Sequence, residues 1–265
     1  MIGVRNRVAQ LLLRLPFQLG SSRELSVAGK WIHRLSHRLL PSGEKVWSRV
    51  RQGPAKGIWL EVNPRTGHDY MQGLTEAATQ RRVVEYLKPG MVFYDLGANI
   101  GLFSLLAARI VGPSGKVFSF EPDFETARRL RRNVERNKFS NITVVEAGAW
   151  ASTGRANFVA AASSSPDRGL GRFTLDAEFA AGISVACYAL DDFVRAALPP
   201  DAIKCDVEGA ELEVFRGAER TIADCRPWII CEIHSAANRD GIFEFYRRFG
   251  YKTQIVDNNH LLGVP

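Results

Sequence analysis

From about residue 81 onward, short apolar runs alternate with longer amphipathic stretches, and this alternation restricts the possible folds more than any other feature. Strand candidates are Met91–Leu96, Lys116–Phe120, Ile142–Glu146, Ala202–Cys205, Trp228–Ile233 and Lys252–Val256. Helical stretches lie between them at Gly101–Val111, Phe124–Asn137, Ala189–Ala197, Ala210–Ala223 and Gly241–Phe249. Several strand runs are apolar at nearly every position, as they must be when helices cover both faces of a sheet. Strands joined through helices return in the same direction and pair in parallel. The expected architecture is therefore α/β, a doubly wound and mostly parallel sheet.

Charge divides the chain differently. Residues 1–52 hold ten of the 35 basic residues and two of the 28 acidic ones, so this stretch carries +8 and the remainder −1. Val8, Leu11, Leu12, Leu15, Leu25, Trp31, Ile32 and Leu35 recur there at helical spacing, which predicts a basic amphipathic helical extension. Such a segment suits docking on the domain or peripheral contact with an anionic membrane. Val8–Leu19 is too short to span a bilayer and is broken by Arg14, Pro16 and Gln18, so a cytoplasmic location is expected. Residues 53–80 form a lead-in with a strand at Ile58–Val62, closed by Asn63-Pro64 and Thr66-Gly67, and a helix runs from Thr75 to Leu87. The principal domain is 81–265, with an inserted surface loop at 160–181. The four cysteines have no metal-ligand spacing and read as reduced core thiols; no metal is assigned. His33, His37, His68 and His260 read as surface residues.

The chemistry concentrates at strand ends. The first strand of the domain runs into Asp95-Leu96-Gly97-Ala98-Asn99-Ile100-Gly101 and then a helix. Ligands of doubly wound sheets bind outside the carboxyl ends of the strands, near the switch point. The Gly-x-x-x-Gly spacing differs from the Gly-x-Gly-x-x-Gly of dinucleotide sites, and an acid precedes it. A carboxylate there would repel a pyrophosphate but suits the ammonium and sulfonium of S-adenosylmethionine. The second strand ends Phe120-Glu121-Pro122-Asp123. Glu121 is placed to accept from the two hydroxyls of a ribose, and Asp123 to cap the next helix.

The stretch from about Gly53 resembles the FkbM family of methyltransferases. The resemblance rests on Gly57-Ile58-Trp59-Leu60, Asp95–Gly101, Phe120-Glu121-Pro122, Asn133 through Asn137 and Arg216-Gly217-Ala218. Most specific is Ile203-Lys204-Cys205-Asp206-Val207-Glu208-Gly209-Ala210-Glu211, with Cys231-Glu232-Ile233-His234 on the next strand. The resemblance implies a seven-stranded class I methyltransferase fold, Rossmann-like, and S-adenosylmethionine-dependent O-methylation of a hydroxyl. The acceptor implied is a small molecule or glycan, such as a sugar or natural product, and no nucleic acid. The final hairpin would be Lys252–Val256, a turn at Asp257-Asn258-Asn259, and His260–Val264. The cofactor set is Asp95, Gly97, Asn99, Gly101, Glu121 and Ala149; the catalytic set is Asp206, His234, Glu232 and Glu208.

Among these, Asp206 either faces the cleft or caps the following helix, and Glu208 divides evenly between a site role and the helix N-terminus. Glu211 reads as an acid favoured by the helix dipole. Asp206 with Glu232 is also an oxygen pair of the kind that holds a divalent cation, but with no third clear ligand. His234 is the expected base, with a rate rising through about pH 6.5. Two rivals remain at this level: an NAD-dependent oxidoreductase, and a non-catalytic binding module on the same fold.

Overall fold

The computed structural model describes residues 45–64, 66–159, 172–174 and 182–265 of the chain. The predicted helical segment at 8–35, and most of the loop at 160–181, lie outside the described residues. The described residues fall into two compact units, one up to residue 77 and one from residue 78 onward.

In the first unit, β1 (Val46–Arg49) pairs antiparallel with β2 (Trp59–Val62), followed by α1 (His68–Gln72). β1 falls inside the stretch assigned from sequence to a helical extension, so at least its last residues are strand. Leu60 and Val62 are buried, whereas Trp59 and Glu61 are half-buried, the period-2 pattern of a sheet with one covered face.

The second unit opens on α2 (Ala77–Tyr86). It continues with β3 (Val92–Leu96), α3 (Leu102–Val111), β4 (Lys116–Phe120), α4 (Phe124–Asn137) and β5 (Ile142–Val145). After β6 (Gly148–Ala149), β7 (Gly154–Val159), β8 (Arg172–Thr174), β9 (Ile183–Tyr188) and α5 (Leu190–Phe193) come β10 (Ala202–Cys205), α6 (Glu211–Arg216) and α7 (Glu219–Cys225). The unit closes with β11 (Trp228–Glu232), α8 (Ala236–Arg248), β12 (Lys252–Ile255) and β13 (His260–Val264). Seven strands form one sheet in the order β12-β13-β11-β10-β3-β4-β5, parallel except for β13, which runs antiparallel to both neighbours. No helix among the described residues is long and apolar enough to cross a membrane.

Alternation along β3 sends its residues to two different environments. Tyr94 turns to an aromatic cluster in which Phe193 meets Phe120 at 4.8 Å, Phe118 at 5.5 Å and Tyr188 at 5.6 Å between ring centroids. Asp95 points to the other face and stands in register between Lys204 of β10 and Ser119 of β4. A polar row thus runs beneath α3 through an otherwise apolar sheet.

Several sequence expectations change. The stretch 210–223 is two helices, broken at Gly217-Ala218, where Gly217 lies so close to the Trp150 carbonyl that a Cβ would overlap it. α8 starts at Ala236 rather than Gly241, capped by the Ser235 hydroxyl, which accepts from the Asn238 amide at 3.1 Å. The helix expected at 189–197 is the single turn of α5. A second sheet, β6-β9-β7-β8, was not expected from sequence. Two histidines read as surface are buried: His68 is 6% and His260 5% exposed. His260 sits on β13 opposite Glu232, and its Nδ1 lies 2.8 Å from Asp257 Oδ1. His33 and His37 lie outside the described residues.

Candidate active site

The turn after β3 is shaped by its own backbone and by the strand beside it. Gly97 and Ala98 both donate to the carbonyl of Phe120 at the end of β4, at 3.1 and 2.8 Å. Gly97, Asn99 and Gly101 all have positive φ, at 79°, 49° and 89°. At Gly97 this has a second cause besides conformation: a Cβ would drive into the carbonyl oxygen of Asp206, at the end of β10. At Gly101 a Cβ would meet the Leu130 side chain. Buried Asn133 of α4 donates to the Ile100 carbonyl at 2.7 Å and pins the far side of the turn.

Glu121 follows β4 and is 7% exposed. Its Oε2 accepts from the Asn99 amide and its Oε1 from the Asp123 amide, each at 2.9 Å. Burial pushes its carboxyl up to about 8, against the pull of those two amides. Asp123 is the N-cap of α4, accepting from the Thr126 amide at 2.8 Å, as expected. Asp95 is buried deeper, and its Oδ2 accepts from Ser104 of α3 at 2.5 Å, while Ser119 donates to Ser104 at 2.7 Å. Ala149 is buried in β6 within the apolar cluster. The donor set of this turn is acidic and offers carboxylates at two strand ends. It fits a group bearing positive charge and vicinal hydroxyls and does not fit a pyrophosphate.

The second cluster forms where β10 and β11 end. Lys204 is 3% exposed; its ammonium lies 2.9 Å from Asp206 Oδ2 and 4.7 Å from the centroid of the Phe103 ring. Asp206 does not cap α6, whose N-cap is Ala210. Burial pushes the Asp206 carboxyl up, but Lys204 and His234 outweigh it and hold the group below the usual range. A hydrogen bond with Glu232 also helps to hold it low, and Asp206 Oδ1 is buried.

His234 brings three carboxylates together. Its Nδ1 lies 3.0 Å from Glu211, and its Nε2 lies 3.3 Å from Glu208 and 3.7 Å from Asp206. The bonds to Glu208 and Glu211, backed by the charges of Glu211 and Asp206, push the imidazole up to about 11. The ordinary value near 6.5 expected from sequence is thereby overturned, because the ring is held as an imidazolium. Asp206, Glu232 and His234 each place a polar atom within 4.8 Å of the others, so these predicted residues do meet. The third ligand that the sequence did not offer beside Asp206 and Glu232 is thus present in His234, and the three form a group that could hold a metal ion. Glu208 has φ of 54°, so a non-glycine residue occupies the left-handed region there.

Glu211 was read from sequence only as an acid favoured by the helix dipole, and Lys204 and Asn238 were not singled out there. Lys204 could have been: a lysine inside a four-residue buried strand, two positions before an acid on the same face, requires a partner.

A seven-stranded sheet with one antiparallel strand near its edge, and a glycine turn opposite an acid at the next strand's tip, defines an S-adenosylmethionine-dependent methyltransferase of class I. Residues 95–253 match the Methyltransferase FkbM domain, and the chain belongs to that family. Hexuronic acid methyltransferase AglP of Haloferax volcanii is 27% identical over 181 residues, 68% of this chain and 71% of AglP. The 31-O-demethyl-FK506 methyltransferase FkbM of Streptomyces tacrolimicus is 34% identical over 99 residues, covering 37% of this chain and 33% of that protein. A crystal structure of Methyltransferase FkbM from Methylobacillus flagellatus overlaps 76% of this chain at 19% identity with a TM-score of 0.49. The chain spans 54% of that solved protein.

Proposed function

We propose that the protein methylates a hydroxyl oxygen of a sugar or natural-product acceptor, with Asp206 receiving the hydroxyl proton. One observation carries this reading: the cofactor turn at Gly97 abuts Asp206, whose buried Oδ1 lies beside His234 and Glu232. S-adenosylmethionine supplies a methyl group on a sulfonium, an excellent leaving group. Glu121 would hold the ribose and the Gly97–Gly101 turn the rest of the cofactor's nucleoside end. Asp95 would contribute from behind the turn as a buried negative charge rather than through direct contact. The acceptor's O–H would donate to Asp206 Oδ1, which aligns the oxygen and draws the proton off as the new bond forms. His234, already protonated, serves as a hydrogen-bond donor beside Asp206 and not as the base. Glu232 stands next to Asp206 and can share the proton it receives.

Four carboxylates (Asp206, Glu208, Glu211 and Glu232) face one ammonium and one imidazolium in this cluster. That surplus favours an uncharged acceptor over an anionic one. AglP is named for a hexuronic acid and the Streptomyces enzyme for an oxygen of FK506. The test is methyl transfer from labelled S-adenosylmethionine to matched pairs of neutral glycosides and uronic acids. Faster transfer to the neutral members is expected. Transfer to nitrogen or carbon alone would overturn the O-methylation reading, and a strong preference for uronic acids would overturn the charge argument.

A further inference from the structure

Glu211 is fully buried. Its Oε1 accepts from the amides of Val207 at 3.2 Å and Gly209 at 3.0 Å and also faces His234 Nδ1 at 3.0 Å. Its Oε2 accepts from Asn238 Nδ2 of α8 at 2.9 Å. Removing a carboxylate from water is costly unless its oxygens find donors, and here both do. An amide oxygen would serve the two backbone donors equally well. What calls for a full negative charge is the ring.

We propose that Glu211 is a positioning residue of the active site: anchored by Asn238 and the 207–209 loop, it fixes the His234 ring so that Nε2–H is presented beside Asp206, where the acceptor oxygen must lie. The proposal rests on the O-methyltransferase reading for the meaning of that position, but the geometry stands without it. Glu211 locks one ring nitrogen, leaving the other to lie between Glu208 Oε2 and Asp206 Oδ1. Its fixed neighbours come from two strand ends and a helix start, and Glu208 is held in its left-handed conformation by the same loop that Glu211 closes. The charged groups facing the ring are Asp206, Glu208, Glu211 and Glu232, with Lys204 reaching it only through Asp206.

The experiment is a nitrogen-15 titration of His234 in the full chain, wild type and Glu211→Gln, alongside acceptor KM and cofactor-product affinity. The wild-type ring is expected to carry both protons at pH 8. In Glu211→Gln its titration should fall by about 1–3 pH units, the effect of losing one close opposite charge. Acceptor KM should rise while S-adenosylhomocysteine affinity stays unchanged. A neutral wild-type ring at pH 8, or a variant that loses melting temperature with the titration unmoved, would overturn the proposal. Should Glu211→Gln not fold, Asn238→Ala removes the anchor and keeps the charge. A raised acceptor KM with broadened His234 resonances is then expected, and an unchanged KM overturns the proposal. Failure of the wild type to bind S-adenosylhomocysteine would sink the functional reading instead, leaving the ring titration to judge Glu211 alone.

Discussion

The turn after β3 and the loop after β10 lie side by side, yet they are built by opposite means. The first is held by backbone: two amides on one carbonyl, a carboxylate accepting from two more amides, and three residues at positive φ. The second is held by charge: an ammonium, an imidazolium and four carboxylates pressed together at strand ends. A backbone-built site punishes added volume above all. A charge-built site tolerates small changes of shape and punishes the loss of a charge. The difference suits a turn that binds one cofactor beside a cluster of groups able to share a proton.

The largest effect is expected where charge does the chemistry. Asp206→Asn keeps the shape of the loop and should cut turnover by about 10²–10⁴-fold, the usual worth of a general base. Cofactor affinity, measured by calorimetry, should stay within a few fold. Equal losses of both would erase the distinction between the two regions.

Next comes volume on the backbone-built side. Gly97→Val forces a side chain into the Asp206 carbonyl at a φ that only glycine takes readily. The expected cost is about 2–5 kcal/mol in denaturant unfolding, from backbone strain and overpacking together. A variant as stable as wild type would show that the two loops can separate.

Glu121→Gln should have a smaller effect with a revealing sign. Cofactor-product affinity should drop by about one to two decades, as an oxygen placed to accept from the ribose hydroxyls is replaced by an amide N–H. Stability of the ligand-free protein should move the other way. The folded value near 8 lies above the roughly 4.3 of a free glutamate, so between those limits the native state holds the extra proton. Wild-type stability therefore falls through this window as pH rises, and the Gln variant should lack that fall. Parallel pH curves of melting temperature would place Glu121 in a wetter setting than the structure gives it.

The smallest effect is a slope. With its value raised to about 11, His234 contributes stability in full below about pH 6.5 and loses it progressively as pH climbs toward 11. His234→Asn should flatten that decline between pH 7 and 10. It should remove no rate limb near pH 6.5, and such a limb in the wild type would show the ring to be an ordinary imidazole.

Sheet strands were legible because their apolar runs are long and continuous; β10 and β13 match the expected residues end for end. The β6-β9-β7-β8 sheet was not, because β7 begins Gly154-Arg155 and keeps most of its residues exposed or half-buried, so no apolar alternation marks it. In the site, Glu121 and Asp206 were legible from their places at strand tips. Glu211 was not: its role depends on Asn238, 27 residues further on, and on a ring from another strand. Position along one strand can be read from sequence, whereas partnership across elements cannot.

One feature of the sheet bears on how the protein comes to exist. β13 is made after β11 and β12 but lies between them. While residues 260–264 are still being synthesised, β11 has an open edge of buried apolar residues, the kind of edge that recruits other chains. The strand pairing that covers it also brings His260 opposite Glu232. Covering that edge and setting His260 opposite Glu232 are therefore one event, and a chain without residues 260–264 would have neither.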